Sequence, residues 1–410
     1  MATYRTLDDL ECRGKRVLLR ADLNVPLKDG KVADDSRITR LAPTIKELAE
    51  KGAKVAVLSH FGRPKGKRDP AFSLRPVLPA LERALSGENV LFAEDCVGEK
   101  ARRVVAALKP GEVALLENLR FHPGEEANSP EFARELAALG DLYVNDAFSA
   151  SHRAHASIAL LPRLLPAAAG RLMEAELRAL ESALEAPQRP VLALVGGAKV
   201  STKLDLLGNL VGKVNILALC GAMANTILFA EGFDVGRSLC EREMAESAGR
   251  LLALARERNC RLILPEDAVV AAELSPSAPT RTVAIASVPS DAMILDIGPR
   301  TVEGIRAALR EARTLLWNGP LGAFETPPFD RGTAAVAREV ATLTQAGKMR
   351  SIAGGGDTLA ALAAAGCLKD LSYVSTAGGA FLEWLEGREL PGVKALEPID
   401  RDHSGTSRFP

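Results

Sequence analysis

The chain has 410 residues, of which 47% are hydrophobic and 25% are charged, and its 52 Lys and Arg balance its 52 Asp and Glu. This composition is typical of a globular protein, and a neutral chain is a poor candidate for non-specific nucleic-acid binding, which needs a basic surface. At about 150 residues per domain, the length predicts two domains.

Nothing in the sequence indicates a membrane or secretory route. The start, Met1–Asp9, lacks the charged-then-apolar pattern of a signal peptide, and no apolar run reaches the roughly 20 residues that span a bilayer. The six cysteines are scattered without a Cys-x-x-Cys pair, and the five histidines do not fall at ligand spacing with them. We therefore expect reduced cysteines, no zinc site and a cytoplasmic location.

Strand and helix signals alternate along the chain. In the first half the predicted helices are 43–52, 100–108 and 130–139, and the predicted strands are 54–60, 112–118 and 141–145. In the second half the predicted strands are 191–195, 214–220, 261–264, 292–295, 314–317, 351–353 and 371–375. This alternation predicts an α/β fold with parallel sheets covered by helices on both faces. A helix at 173–185, flanked by prolines on both sides, is expected to connect two lobes.

Basic and polar side chains recur in the first half where apolar runs end. They are Arg20, Asp22, Asn24, Arg37, His60, Arg63, Arg120 and Arg153. Ligands of open parallel sheets bind outside the carboxyl ends of the strands, and the arginine fork matches carboxylate and phosphate. A single arginine is more simply a solvated surface residue, but several at strand ends favour an anion site. His152 and His155 are either general bases or structural histidines.

Glycine-rich turns follow strands in the second half. Gly196-Gly197-Ala198-Lys199 is expected to open a helix that places Lys199 and Lys203 on one face, where two ammonium groups suit a polyphosphate. The alternative is a tight turn with solvated lysines. In Gly354-Gly355-Gly356-Asp357-Thr358, Asp357 either caps a helix or coordinates Mg²⁺ on a nucleotide.

The turn that follows Trp317 also suits a nucleotide. Asn318 could donate to phosphate and Glu325 could accept from ribose hydroxyls, although an ordinary loop would have the same composition. No Walker A sequence occurs, and no Gly-x-Gly-x-x-Gly opens a helix after a first strand, which argues against a dehydrogenase.

Taken together and in order, these motifs resemble the phosphoglycerate kinase family from about Thr6 to about Leu396. The matching stretches are 20–26, 35–38, 59–64, 117–125, 145–148, 152–155, 196–200, 296–299, 317–322, 354–358, 386–387 and 390–392. The resemblance implies two doubly wound parallel-sheet lobes, each of three αβα layers, joined by a connecting helix with a cleft between them. It implies a phosphoglycerate-binding lobe at 1–167, a hinge helix at 168–189 and a nucleotide-binding lobe at 190–390. The segment 391–410 would pack back on the N-terminal lobe and end in a loose tail.

The resemblance also implies the reaction and the residues that perform it. The reaction is reversible, Mg-dependent phosphoryl transfer between 1,3-bisphosphoglycerate with ADP and 3-phosphoglycerate with ATP, by a monomer whose lobes close around both ligands. The acid would be bound by Asp22, Asn24, Arg37, His60, Arg63, Arg120 and Arg153. The nucleotide would be bound by Lys199, Lys203, Asn318, Glu325 and 354–358, with Asp357 on the metal. Arg37, Lys199, Gly355 and Gly378 would be catalytic.

The sequence departs from the family pattern at Cys220, Ala222 and Phe381. These changes bear on nucleotide affinity rather than on the charged groups. They are also the only support for the alternative function, a non-catalytic nucleotide- or anion-binding protein on the same fold.

Overall fold

The computed structural model describes residues 4–398. The chain divides into two units: unit 1 runs to Leu177 and resumes at Glu389, and unit 2 is Arg178–Arg388.

Unit 1 is built on a six-stranded parallel sheet of order β5-β6-β4-β1-β7-β8, beside a short antiparallel hairpin, β2-β3. The strands are β1 Arg16–Ala21, β2 Leu27–Lys28, β3 Lys31–Val32, β4 Lys54–Ser59, β5 Val90–Ala93, β6 Val113–Leu116, β7 Leu142–Asn145 and β8 Ala167–Ala169. Successive strand residues point to opposite faces, and Val17, Leu18 and Leu19 are all fully buried. Both faces of the sheet are therefore covered, as in a doubly wound fold.

The helices of this part of the chain follow the strands. They are α1 Ser36–Glu50, α2 Leu78–Ala84, α3 Gly98–Ala107, α4 Pro123–Glu126, α5 Pro130–Ala137, α6 Leu161–Leu164 and α7 Arg171–Leu180, and the boundary between the units falls inside α7. Short 3₁₀ turns lie at Leu7–Asp9, Pro70–Phe72, Arg75–Val77, Leu119–Phe121 and Phe148–Ala150, and single π turns lie at Ala156–Leu160 and Glu181–Glu185. The helix expected at 173–185 is thus confirmed as α7 with the π turn that follows it.

The predicted start of the first helix at Pro43 is wrong. Helix α1 begins seven residues earlier, because Ile38, Leu41, Ile45 and Leu48 continue one apolar face through the proline and are all buried. Pro43 has no N–H to donate and its ring crowds the carbonyl one turn earlier, but the packed face outweighs both costs. As a consequence Arg37 lies in the first turn of α1 and not at a strand end.

Unit 2 is built on a second six-stranded parallel sheet, of order β11-β10-β9-β15-β16-β17. A separate antiparallel sheet of order β13-β12-β14 lies in the same unit. The strands are β9 Val191–Val195, β10 Ile216–Leu219, β11 Arg261–Ile263, β12 Asp267–Ala271, β13 Arg281–Ala284, β14 Met293–Ile297, β15 Thr314–Asn318, β16 Arg350–Gly354 and β17 Tyr373–Ser375. The strand expected at 292–295 therefore exists, but it pairs antiparallel with β12 and is no part of the parallel sheet.

The helices of unit 2 are α8 Leu204–Val211, α9 Gly221–Ala230, α10 Ala245–Glu257, α11 Pro299–Glu311, α12 Arg331–Gln345, α13 Gly356–Ala364 and α14 Gly379–Leu385. Helix α8 corrects the sequence-based prediction that Gly196–Lys203 opens a helix. The chain after β9 makes turns until Lys203, which is the N-cap residue of α8. Lys199 and Lys203 therefore do not share a helical face.

The C-terminal segment of the described chain packs within unit 1. It carries α15 Pro391–Lys394, where Gly392 N donates to Ser151 O at 2.9 Å. A Cβ on Gly392 would lie 2.7 Å from Ser151 Oγ, so the segment approaches the turn after β7 closely. The expected tail lies outside the described residues, apart from its first residue, Pro398.

Candidate active site

Unit 1 brings the predicted anion-binding residues to the carboxyl edge of its sheet. Asp22 follows β1 directly, His60 follows β4, and Arg120 lies in the 3₁₀ turn after β6. Arg153 follows the turn at Phe148–Ala150, beyond β7. Since β6, β4, β1 and β7 are neighbours in a parallel sheet, their carboxyl ends meet at one edge.

The electrostatics of His60 show how closely these cations gather. His60 is buried with 5% of its surface exposed. Burial, together with the charges of Arg20, Arg120 and Arg153, holds its pKa well below the usual range. The pKa of Arg153 is lowered as well, first by burial and then by Arg63. A neutral imidazole therefore stands among several guanidinium groups, and a bound anion would relieve their mutual repulsion.

Asp22 holds Arg37. The two side chains form an ion pair, and Ser149 Oγ also donates to the Asp22 carboxylate. Asn24 acts on the loop beyond β4, because its Oδ1 accepts a hydrogen bond of 2.9 Å from Gly62 N. The contact of Ser149 with Asp22 could not be predicted from sequence spacing.

Arg120 is a buried cation whose charge is only partly balanced by a nearby carboxylate. It is 4% exposed, its Nη1 donates to Gly62 O at 2.7 Å, and its Nε lies 3.2 Å from Glu126 Oε1. Burial and the charge of Arg153 lower its pKa. His155 lies nearby, and burial and Arg120 lower its pKa to about 4. His155 is therefore neutral near pH 7.

In unit 2, a hydrogen-bonded group ties together the loops that follow β9, β15 and β16. Lys203 Nζ donates to Gly196 O at 2.6 Å and to Asn318 Oδ1 at 2.7 Å. Asn318 Nδ2 donates to Gly354 O at 2.8 Å, and Gly319 N donates to Thr358 Oγ1 at 2.7 Å. These strands are neighbours in the sheet, so the glycine-rich turns form one continuous surface at its carboxyl edge.

This group engages polar atoms of two residues that were expected to bind the nucleotide. Asn318 was expected to donate to phosphate; its Oδ1 and one of its two Nδ2 hydrogens are engaged within the protein. The Thr358 hydroxyl likewise bonds to Gly354 O and Gly319 N. Lys203 is partly buried, and burial lowers its pKa to about 8, against the opposing charge of Asp357. Lys199, by contrast, is exposed.

Two glycines allow the loops to approach this closely. A Cβ on Gly196 would lie 1.9 Å from Pro320 O, and one on Gly319 would lie 2.2 Å from Gly196 O. Gly319 also has φ of +104°, which side chains rarely adopt. The predicted need for glycine at these strand ends thus has a specific cause, which is backbone-to-backbone contact.

A cavity of about 420 Å³ opens beside these loops within unit 2. Its wall includes apolar side chains, backbone of the glycine turns and a small number of acids, among them Glu325, Asp357 and the buried Asp296. Leu239 and Leu274 line it and are the two large hydrophobic residues most exposed in the described chain, at 54% and 52%. This combination of apolar walls and few polar groups is typical of a small-molecule site.

Asp357 does not cap α13. The N-cap residue is Gly355, with φ of 99°, and no side chain caps the helix. Asp357 lies in the first turn of α13 and lines the cavity. The capping alternative is therefore wrong, and the carboxylate is placed at the edge of the pocket.

Comparisons with known proteins show the family and the fold of this chain. The phosphoglycerate kinase family model matches residues 7–388. The chain belongs to the phosphoglycerate kinase family. It is 63% identical to the phosphoglycerate kinase of Methylorubrum populi over 97% of this chain and 99% of that one. It is 62% identical to the phosphoglycerate kinase of Rhodospirillum centenum, over 96% of this chain and 99% of that one.

Solved structures of phosphoglycerate kinases share the fold. The enzyme from Coxiella burnetii superposes with a TM-score of 0.90 at 44% identity, covering 96% of this chain and 98% of that one. The enzyme from Pyrococcus horikoshii superposes with a TM-score of 0.75 at 32% identity, with the same coverage of both chains. As a phosphoglycerate kinase, the chain is a phosphotransferase that transfers a phosphoryl group reversibly between 1,3-bisphosphoglycerate and ADP.

The three departures from the family pattern have separate positions. Ala222 lines the cavity. Cys220 is the N-cap residue of α9, is buried in the core, and has a thiol pKa raised by burial. Phe381 is fully buried in α14, and its ring would meet a Cβ on Gly354 at 2.5 Å. Of the three, only Ala222 can touch a ligand in this cavity, whereas Phe381 supports the 354–358 loop from inside the protein.

Linear spacing missed one group of possible metal ligands in unit 1. Asp95, Cys96 and His122 bring their ligand atoms within 4.8 Å of one another. His122 Nε2 is 2.7 Å from Asp95 Oδ1, Cys96 N donates to the same oxygen at 2.8 Å, and the His122 ring stacks on Phe132. These contacts describe a carboxylate–imidazole pair whose hydrogen bonds are satisfied.

Among the helices of residues 4–398, none is long and apolar enough to cross a membrane.

Proposed function

We propose that the cation group of unit 1 binds 3-phosphoglycerate or 1,3-bisphosphoglycerate. The observation that supports this most directly is the neutral, buried His60 surrounded by Arg20, Arg120 and Arg153. Guanidinium groups bind carboxylate and phosphate by paired hydrogen bonds, which a small acid with both groups would use. Asp22, Asn24, Arg37 and Arg63 complete the proposed site.

The 420 Å³ cavity of unit 2 is the proposed nucleotide site. Its apolar wall, which includes Ala222, Leu239 and Leu274, suits a purine base, and Glu325 is available to ribose hydroxyls. Lys199, Lys203 and the 354–358 loop would face the phosphates. In this proposal Asn318 and Thr358 hold the loops in place through their contacts within the protein.

Mg²⁺ is the proposed companion of the nucleotide. The donor set fits, because Asp357 offers one carboxylate at the pocket edge and Mg²⁺ prefers one or two carboxylates with phosphate oxygens and water. When bound, the ion would neutralise negative charge on the phosphates. Calorimetry of ATP binding with and without Mg²⁺ tests this role: Asp357→Asn should abolish most of the Mg²⁺ enhancement and leave metal-free binding nearly unchanged.

The transfer itself needs no general base, because the attacking oxygen of ADP or of the carboxylate is already anionic. Catalysis rests on positioning and on neutralising the transferring group. We propose Arg37 and Lys199 as the cations that do so. Gly355 and Gly378 precede α13 and α14, whose first backbone N–H groups would add to that stabilisation.

Because the acid and the nucleotide would bind to different units, we also propose that ligand binding draws the units together, with 168–189 as the hinge. Closure would exclude water, which otherwise hydrolyses the acyl phosphate. Small-angle scattering should show compaction with both ligands and none with either alone; an unchanged radius of gyration contradicts closure. We also propose that the protein is monomeric and cytoplasmic. Sedimentation in the analytical ultracentrifuge measures the oligomeric state.

The decisive experiment is ATP consumption with 3-phosphoglycerate and Mg²⁺, coupled to reduction of the bisphosphoglycerate formed. Arg37→Ala should lower turnover at least about a hundredfold, since cationic stabilisers of phosphoryl transfer are worth roughly 10³–10⁵ in rate. Arg102→Ala is the matched control, because Arg102 is an exposed arginine paired with Glu99 at 3.2 Å on α3. Nucleotide binding without any turnover would instead support the non-catalytic alternative.

A further inference from the structure

Behind His60 lies a buried arginine that is too enclosed to bind a ligand freely. Arg20 is 1% exposed, and its Nη2 lies 3.2 Å from His60 Nδ1. Its Nε donates to Ser157 Oγ at 2.9 Å, and its Nη1 donates to Ala21 O. The guanidinium therefore connects His60 to a residue 137 positions away from Arg20 in the chain.

Ser157 is in turn held by a buried carboxylate. Glu125 has no exposed surface, and it accepts from Ser157 Oγ at 2.6 Å on Oε1 and from Ser157 N at 2.9 Å on Oε2. Tyr143 Oη donates to Ser157 O at 2.7 Å. The hydroxyl of Ser157 is thus fixed in both position and direction.

The chemistry of these groups assigns every donor and acceptor in the chain of contacts. The single hydroxyl hydrogen of Ser157 goes to Glu125, so Ser157 Oγ can only accept from Arg20 Nε. A guanidinium has no acceptor, so the contact between Arg20 Nη2 and His60 Nδ1 requires an unprotonated Nδ1. A neutral imidazole carries one hydrogen, which must then be on Nε2.

We propose that Glu125 and Ser157 are positioning residues for the acid site, which act through Arg20 to hold His60 in the tautomer that carries hydrogen on Nε2. That hydrogen is the one the ring can donate to the carboxylate or phosphate of the acid. The inference rests on the proposed assignment of His60 to this site. The buried negative charge of Glu125 also offsets the positive charge of Arg20, which would otherwise be an uncompensated buried cation.

Two substitutions interrupt the chain at different points. Glu125→Gln keeps the volume, but its amide presents a donor where Ser157 N or Oγ needs an acceptor. Ser157→Ala removes the hydroxyl that accepts from Arg20 Nε. Without that contact the guanidinium can turn, and His60 can take either tautomer.

The matched control is in unit 2. Asp267 is 2% exposed and accepts from both the hydroxyl and the backbone N–H of Thr301, at 2.8 and 2.9 Å, just as Glu125 does from Ser157. Asp267→Asn therefore removes an equivalent buried carboxylate contact, with no link to His60. It should reduce stability without changing the acid site.

The experiment combines ¹⁵N NMR of histidine-labelled full-length protein with calorimetry of 3-phosphoglycerate binding. His60→Asn identifies the His60 signals among those of the five histidines. In the ligand-free wild type, the shifts should show hydrogen on Nε2. Glu125→Gln and Ser157→Ala should each shift His60 toward a mixture of tautomers and raise the dissociation constant at least about tenfold, the effect of weakening a hydrogen bond to a charged group. Asp267→Asn should change neither.

The outcomes distinguish failure of the positioning inference from failure of the proposed site assignment of His60. If His60 keeps the Nε2–H tautomer in every folded variant, or carries hydrogen on Nδ1 in the wild type, the positioning inference is overturned. If one of the two variants does not fold, the other decides alone; failure of both to fold assigns Glu125 and Ser157 to stability only and rejects the inference. If tautomers shift as expected but 3-phosphoglycerate binding changes less than twofold even in His60→Asn, the site assignment of His60 fails instead.

Discussion

The buried carboxyl of Asp296 predicts a specific dependence of unit 2 stability on pH. Asp296 is 1% exposed, and it accepts from Ile297 N at 2.9 Å and Gly332 N at 2.7 Å. Burial raises its pKa from 3.8 to about 7, although the two N–H groups oppose the shift. Replacing it by asparagine removes the titration and retains the shape.

The sign follows from proton uptake on folding. Since the folded pKa lies above the unfolded one, the native state binds more protons between pH 4 and 7, and the contribution of Asp296 to the free energy of unfolding falls as pH rises. With pKa values of 3.8 and about 7, its contribution drops by about 3 kcal/mol from pH 5 to pH 8. Asp296→Asn should therefore gain about 3 kcal/mol relative to wild type over this interval, whatever the constant effect of the substitution.

Urea unfolding of both proteins at pH 5, 6, 7 and 8 measures this difference. Both tryptophans, Trp317 and Trp384, lie in unit 2, so their fluorescence follows the unfolding of that unit. The pH-dependent part of the comparison is free of the asparagine's altered hydrogen bonding. A difference between the proteins that stays constant within about 0.5 kcal/mol, the usual scatter of such comparisons, would show that the N–H groups of Ile297 and Gly332 offset burial.

Three further predictions concern the nucleotide side. Phe381→Ala should lower the free energy of unfolding of unit 2 by about 3–5 kcal/mol, because its fully buried ring packs against Gly354; urea unfolding measures it, and a loss below 1 kcal/mol contradicts this packing role. Gly196→Ala should weaken ATP binding at least about tenfold in calorimetry and spare 3-phosphoglycerate binding, because its Cβ would lie 1.9 Å from Pro320 O; equal losses for both ligands would point to general unfolding. ATP affinity should fall as pH rises from 7 to 9, because the Lys203 ammonium has a pKa of about 8, and Lys203→Arg should flatten this dependence; an identical profile in that variant assigns the titration to another group.

The sequence predicted the parallel sheets well because their strands are buried on both faces. Such strands are short runs of apolar residues, like Val191–Val195, and stand out against the polar turns that end them. The same property led to the candidate sites, since ligands of open parallel sheets bind where such runs stop. Strands β12 and β13 of the antiparallel sheet were not predicted, because β13 has no fully buried residue and β12 is interrupted by a bulge.

What the sequence could not supply was the pairing between distant side chains. Asn318 and Lys203 are 115 positions apart, and both look like free phosphate ligands when each motif is considered alone. Only the order of strands brings their loops together and engages their polar atoms with each other. Arg37 was misplaced for a related reason, since Pro43 marks a helix start locally but the buried face of α1 extends past it.

The two proposed sites differ in the kind of residues that line them. The proposed acid site concentrates charge. Asp22 and Glu126 are direct partners of its cations, and Glu125 is proposed to act through Ser157. The nucleotide side has a cavity walled largely by apolar groups and by backbone, and it buries Lys203 at the expense of its basicity. A highly charged small acid gains most from fixed guanidinium groups, whereas a nucleotide gains from burying its base and from backbone N–H groups near its phosphates. Substitutions that neutralise the acids of the proposed acid site should therefore affect acid binding before they affect nucleotide binding.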